Sequence, residues 1–145
     1  MDSIAAFDIF IICAGILVLN LFVLAGGTAA TRSKEGKFLN PEDQKLNEKG
    51  SLQEIDDGKT ARWRRAHLNA LENILPFLPM GYFMVLTRPS IAVAGGLLGG
   101  FTFFRLLHSV AYLKSKQPWR TVSFGISTLI LAAIVIYTVV QVLRI

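Results

Sequence analysis

Apolar residues fall into four long blocks along the chain, roughly 4–30, 74–87, 91–113 and 121–143. The first and last each hold about 20 nearly uninterrupted apolar residues, enough to cross a hydrocarbon core of about 30 Å. The stretch "IAAFDIFIICAGILVLNLFVLAGG" has no polar face and does not read as the surface helix of a soluble domain. The second block is short as an apolar run. It reaches spanning length if its helix begins near Thr60 and its polar first turns stand in water or face protein. The pattern predicts an all-α integral membrane protein: one four-helix transmembrane bundle over 1–145. Its expected spans are about 4–30, 62–87, 91–113 and 121–143, with a loop over 31–60. Met1, Asp2 and Ser3 offer no basic region, and the run that follows is too long for a signal peptide, so the first block is expected to be a retained span.

Charge orients this picture. Arg32, Lys34, Lys37, Lys45, Lys49, Lys59, Arg62, Arg64 and Arg65 lie between the first two spans, and Lys114, Lys116 and Arg120 follow the third. The opposite side has Arg88 and Arg144. An excess of Lys and Arg marks the cytoplasmic side, so both termini are expected outside. The net charge of +5 is then explained without nucleic acid. "RWRR" (62–65) reads as a juxtamembrane anchor, with Trp63 in the interfacial belt. In the loop, Asn40 can cap a helix with Pro41 at its first position, Glu42 and Asp43 at its positive end and Gly50 as its stop. "SLQEIDDG" reads as a flexible connector, and Thr60 as the cap of the next helix.

The one cysteine, Cys13, lies mid-span, so no intramolecular disulfide is possible and any thiol chemistry must use a thiol from outside. His67 and His108 lack partners at ligand spacing, and no metal site is expected.

The candidate chemistry lies at the mouth of the second span, in "RAHLNALENILPF" (65–77). Arg65, Asn69 and Glu72 fall at i, i+4 and i+7 and share a helix face, with Asn73 beside them. The third span carries Arg105, His108 and Tyr112 at i, i+3 and i+7. Ionisable groups inside spans pair or line polar cavities, so the two stripes are expected to face each other or a neighbouring subunit. A plain Glu72–Arg105 ion pair that fixes helix packing is the simpler alternative, but it leaves Arg65, Asn69, His108 and Tyr112 unexplained. Pro76 removes a hydrogen bond to the Glu72 carbonyl. In "QPWRTVSF" (117–124), Arg120 and Thr121 sit at a helix start, where the dipole favours an anion. A guanidinium, a hydroxyl and a helix N-terminus together can stabilise a thiolate; a basic membrane anchor is the other reading.

Four segments in order, "FLNPED" (38–43), "RAHLNALENILPF", "RLLHSVAYL" (105–113) and "PWRTVSF", resemble the MAPEG family, membrane-associated proteins in eicosanoid and glutathione metabolism. They are most similar to its prostaglandin E synthase branch. The family's Arg-x-x-x-Asn-x-x-Glu motif stands as Arg65, Asn69 and Glu72. The resemblance implies a homotrimer of four-helix protomers, with glutathione bound between subunits near the cytoplasmic face. Arg32, Arg65, Asn69, Glu72, His108, Tyr112 and Arg120 would line the glutathione site, and Arg105 would support Glu72. Arg120 would be the catalytic arginine, Thr121 the hydroxyl beside the thiol, and Asp43 the partner of that arginine. The chemistry is compatible: arginines match the carboxylates of glutathione, and Glu72 matches its ammonium.

Leu68 and Phe124 depart from the branch pattern, which has an arginine and a tyrosine there, and the loop between Tyr112 and Arg120 is one residue shorter. The expected function is activation of the glutathione thiol for conjugation to, or reduction or isomerisation of, a hydrophobic electrophile or lipid peroxide. The alternative is a non-catalytic membrane protein that binds lipid or partner proteins. A small exporter would need an acidic residue deep in the first helix, which offers only Asn20, with Asp8 near its end.

Overall fold

The first apolar block and the basic residues after it form one helix, α1 (Asp2–Lys34), in a computed structural model that describes residues 2–46 and 50–144. Three more helices follow: α2 (Gly58–Leu86), α3 (Ile91–Leu113) and α4 (Trp119–Leu143). The architecture is all-helical, as expected. Inside α3 the backbone widens into a π turn over Gly95–Gly99, where glycines weaken the preference for the α form. Among the described residues, three helices are long and apolar enough to cross a membrane: Ala5–Lys34, Ile91–Leu113 and Trp119–Leu143. α2 has the length, at 29 residues, but it also has charges, amides and two internal prolines, Pro76 and Pro79. Length and composition therefore support three of the four expected spans.

The α1–α2 connection is more ordered than its composition suggests. Strand β1 (Lys37–Phe38) pairs in parallel with β2 (Ser51–Leu52), which anchors the start of the segment read as a flexible connector. A 3-10 helix over Pro41–Leu46 takes up part of the helix expected after Asn40; the expectation for 47–49 lies outside the described residues. α2 begins at Gly58 with Asp57 as its N-cap, before the predicted cap. Thr60 is inside the first turn, fully buried, and its Oγ1 donates to Glu35 Oε2 at 3.1 Å.

Packing follows two stripes. Ala66, Ala70, Ile74, Phe77, Gly81 and Met84 recur every three or four residues on α2 and are buried. They meet Leu17 and Leu24 of α1 and Leu98 and Phe101 of α3 in one core. Phe77 and Phe101 stack with centroids 4.3 Å apart. At Gly27, an added Cβ would lie 2.2 Å from Trp63 Cε3. The indole therefore packs on the bare backbone of α1 instead of standing alone in an interfacial belt, and any side chain at Gly27 would displace it. The opposite α2 stripe, Arg65, Leu68, Glu72, Leu75, Pro79 and Leu86, is exposed along its whole length. Other large apolar side chains, such as Phe22, Phe103 and Leu129, are exposed too, and exposed apolar side chains in such number fit lipid or another subunit.

Candidate functional site

Three helices converge at the basic end. Asn69 of α2, His108 and Tyr112 of α3, and Arg120, Thr121 and Phe124 of α4 line an open cavity of about 290 Å³. Asn69, His108 and Tyr112 come from the two polar stripes of the sequence, and Arg120 and Thr121 from the expected helix start at 117–124.

Arg105 organises the wall behind the cavity. It is fully buried, and its Nη2 donates to the Asn69 carbonyl at 3.0 Å and to Asn69 Oδ1 at 2.8 Å. The anticipated pairing with Glu72 is replaced by this one: among the described residues no ion pair joins Arg105 to Glu72, which is exposed on the next turn of α2. A guanidinium only donates, so the oxygen of the Asn69 amide faces Arg105 and Nδ2 is the end left for the cavity. Asn73 Nδ2 also donates to the Asn69 carbonyl, at 2.8 Å, so the turn is held twice. Among the described residues, Arg105 Nε and Nη1 have no hydrogen-bond partner.

His108 is buried, and its Nδ1 lies 2.9 Å from the Arg120 carbonyl. A carbonyl only accepts, so Nδ1 carries the hydrogen. The contact ties α3 to the first turn of α4. Its ring meets Tyr112 at 5.8 Å and Phe124 at 5.7 Å between centroids. The Arg120 guanidinium lies over the Tyr112 ring, 5.1 Å from its centroid, a cation–π arrangement. Thr121 Oγ1 donates to Gln117 Oε1 at 3.1 Å. The Arg120 backbone N–H donates to the Lys116 carbonyl at 3.0 Å. The Thr121 hydrogen is thus committed to Gln117, and an anion at this helix start is met by the guanidinium, not by that amide.

Other predicted residues lie apart from the cavity. Arg65 is exposed, one turn before Asn69 on α2. Arg32, at the end of α1, forks onto Asp56, with Nε–Oδ1 at 2.9 Å and Nη2–Oδ2 at 2.7 Å. The hydrogen bonds from Arg32 outweigh the desolvation of Asp56 and hold its carboxyl below the ordinary value of 3.8. Asp43 accepts from Asn40 Nδ2 at 3.3 Å, and no ion pair joins it to Arg120 among the described residues.

Residues 10–140 match the MAPEG family. The chain belongs to the MAPEG family. It is 33% identical to the prostaglandin E synthase of Bos taurus over 137 residues, which cover 93% of this chain and 88% of that one. It is 38% identical to the microsomal glutathione S-transferase 1 of Rattus norvegicus over 117 residues, which cover 77% of this chain and 74% of that one. The prostaglandin E synthase of Homo sapiens is 34% identical over 125 residues, 86% of this chain and 82% of its own.

Within this MAPEG chain, several structural partners escaped the sequence reading. Asp56 is one: an acidic pair before a helix reads as a favourable dipole contact, and nothing local announces a partner 24 residues away. Asn20 is another. Its Nδ2 donates to Ser109 Oγ at 3.1 Å, joining α1 to α3 inside the apolar region. Arg62, read as an anchor, donates through Nη1 to the Tyr112 carbonyl at 3.4 Å, at the C-terminal end of α3, where a cation is favourable.

Proposed function

We propose that this MAPEG protein is a glutathione-dependent membrane enzyme. It activates the glutathione thiol for conjugation to, or for reduction or isomerisation of, a hydrophobic electrophile or lipid peroxide. The observation that carries this reading is the convergence of Asn69, His108, Tyr112, Arg120 and Thr121, from three helices, on one cavity. Its chemistry fits glutathione, because donors predominate where carboxylates and a thiolate need them. Bound glutathione supplies the nucleophilic sulfur. Asn69 Nδ2 donates to a carboxylate or peptide carbonyl; Arg65, Arg32 and Glu72, which lie apart from the cavity in one protomer, would reach the carboxylates and the ammonium from across a subunit boundary. His108 and Tyr112 shape the wall and hold Arg120 in place. The Arg120 guanidinium stabilises negative charge on sulfur, and the Thr121 hydroxyl joins it by turning from Gln117 to the thiolate. Lowering a thiol pKa from about 8.5 toward 7 needs about 2 kcal/mol, within reach of such a pair.

The exposed Arg65 and Glu72 motivate the assembly. A charge facing lipid costs about 2.5–3.5 kcal/mol on insertion scales. A homotrimer in which α2 serves as the fourth span would cover this face, and Asp43 would join Arg120 from across a subunit boundary. The basic end is placed toward the cytoplasm and both termini away from it.

The test is to add glutathione to the purified protein in mild detergent near neutral pH. Ultraviolet thiolate absorbance should rise in proportion to occupied sites. Binding by calorimetry without that rise would favour a non-catalytic lipid- or partner-binding protein. Active monomers by mass measurement in detergent would remove the shared site.

A further inference from the structure

A second groove lies on the other side of the α3–α4 hairpin. Leu107, Val110 and Ala111 of α3, Lys114 and Lys116 of the turn, and Trp119 of α4 enclose about 290 Å³. Leu107 and Val110 stand on the α3 face turned away from His108 and Tyr112, and buried Ala111 lies between the two faces. The walls are almost wholly carbon, and the charged groups are the two lysines. Val110 is 48% exposed and Trp119 59% exposed, so the groove opens outward.

The turn carrying the lysines is well defined. The Lys116 N–H donates to the Ala111 carbonyl at 2.9 Å and the Ser115 N–H to the Tyr112 carbonyl at 3.2 Å, with Ser115 at φ 57°. These two bonds around a left-handed residue make a Schellman cap. The Lys116 carbonyl in turn accepts from Arg120 at 3.0 Å, which ties the cap to the start of α4. Both lysines therefore issue from a fixed backbone at the rim of an apolar slot, unlike those of a loose basic tail.

We propose that this groove binds an anionic phospholipid of the surrounding leaflet. The acyl chain lies against Leu107, Val110, Ala111 and Trp119, and the phosphate-bearing headgroup meets Lys114 and Lys116. Charge complementarity selects this occupant. A zwitterionic lipid fills the walls but brings no net charge to the two ammonium groups, whereas basic pockets at membrane helix ends suit anionic headgroups. A second copy of the chain seated there would bury both lysines, at a desolvation cost, unless it brought carboxylates.

Trp119 provides the readout. The protein is reconstituted in phosphatidylcholine vesicles containing equal small fractions of either brominated phosphatidylserine or brominated phosphatidylcholine, in both leaflets. Brominated phosphatidylserine should quench tryptophan emission more strongly. That excess should vanish in Trp119→Phe, and in the double variant Lys114→Gln/Lys116→Gln its apparent affinity should fall about tenfold or more. Both lysines are exposed, and helicity by circular dichroism verifies that the double variant folds. Equal quenching by the two lipids, or an excess that survives the glutamine substitutions, overturns the proposal. Trp119 emission untouched by either lipid also overturns it and assigns the groove to contact with another copy.

Discussion

α2 and α4 approach each other at both ends of the bundle, with opposite chemistry. At the basic end they share with α3 the cavity of Asn69, His108, Tyr112, Arg120, Thr121 and Phe124. At the far end Phe83, Leu86, Thr87, Thr138, Val139, Val142 and Leu143 surround about 450 Å³ of largely apolar groove. Polar side chains occur in both places, so residue class alone does not separate them. The difference lies in where the polar atoms go. Thr87 Oγ1 donates to the Met84 carbonyl and Thr138 Oγ1 to the Ile134 carbonyl, each at 2.7 Å. A short side chain on a helix satisfies itself on the preceding turn. Asn69 and Arg120 are longer. Asn69 spends only its oxygen, on a neighbouring helix, and keeps Nδ2; Arg120 lies over a ring that accepts no conventional hydrogen bond. The basic-end space differs because Asn69 Nδ2 and the Arg120 guanidinium are held there but not consumed, while Thr121 and His108 are bonded to Gln117 and the Arg120 carbonyl.

The strongest way to break this contrast is Arg120→Leu. Turnover with a generic electrophile such as a chlorodinitrobenzene should fall about 10²-fold or more, the scale of removing one electrostatic stabiliser. Glutathione affinity should change far less, because the guanidinium matters most as charge develops on sulfur. Full activity at neutral pH with normal glutathione binding would make Arg120 a membrane anchor.

Asn69→Asp is the next largest. The carboxylate keeps a partner for Arg105, so thermal stability should hold. The cavity-facing donor becomes an acceptor, and glutathione affinity should fall about tenfold or more, as for a lost charge-assisted hydrogen bond. Unchanged affinity by calorimetry would reduce Asn69 to a tether between α2 and α3.

A smaller effect should separate the two ends by pH. Asp56 has a folded value lowered below 3.8, so its stabilisation is complete above that pH and is lost as the pH falls through the lowered value. In acid, hydrogen exchange should quicken around Arg32 and Asp56 and stay unchanged around Thr138. Asp56→Asn should loosen the same end at neutral pH by about 1 kcal/mol, given that Arg32 is partly solvated. Uniform loosening at both ends would show that the clasp is not local.

The smallest effect is expected in the far groove. Val139→Ser should leave glutathione turnover within about twofold, as for surface substitutions remote from special features. A large loss in a kinetic assay would join the two regions into one functional unit.

The helices were legible because each has a periodic or continuous apolar pattern; the polar stripe of α2 reads as Arg65, Asn69 and Glu72 on one face, whereas Asn69 bonds inward to Arg105 and Arg65 and Glu72 stay exposed. The cavity was legible for a related reason: Asn69, His108, Tyr112 and Arg120 are polar groups near or within apolar stretches, where each needs a protein-side explanation. Connections across the chain were not legible. "SLQEIDDG" looks like a linker by composition, yet Ser51 and Leu52 pair with Lys37 and Phe38, and Asp56 receives Arg32. Trp63 looked like an interfacial anchor, since nothing in "RWRR" says that Gly27 lies opposite it.

By itself the sequence determined which segments are helical, which end is basic and which residue types gather there, since these depend on local spacing and on transfer from water. Only the tertiary structure decided partners. Arg105 could face Glu72 or Asn69 at nearly equal reach from sequence spacing, and the packing of α3 against α2 selects Asn69. That choice orients an amide and leaves Glu72 exposed, because a hydrogen bond depends on distance and direction across two helices, which no periodicity along one of them records.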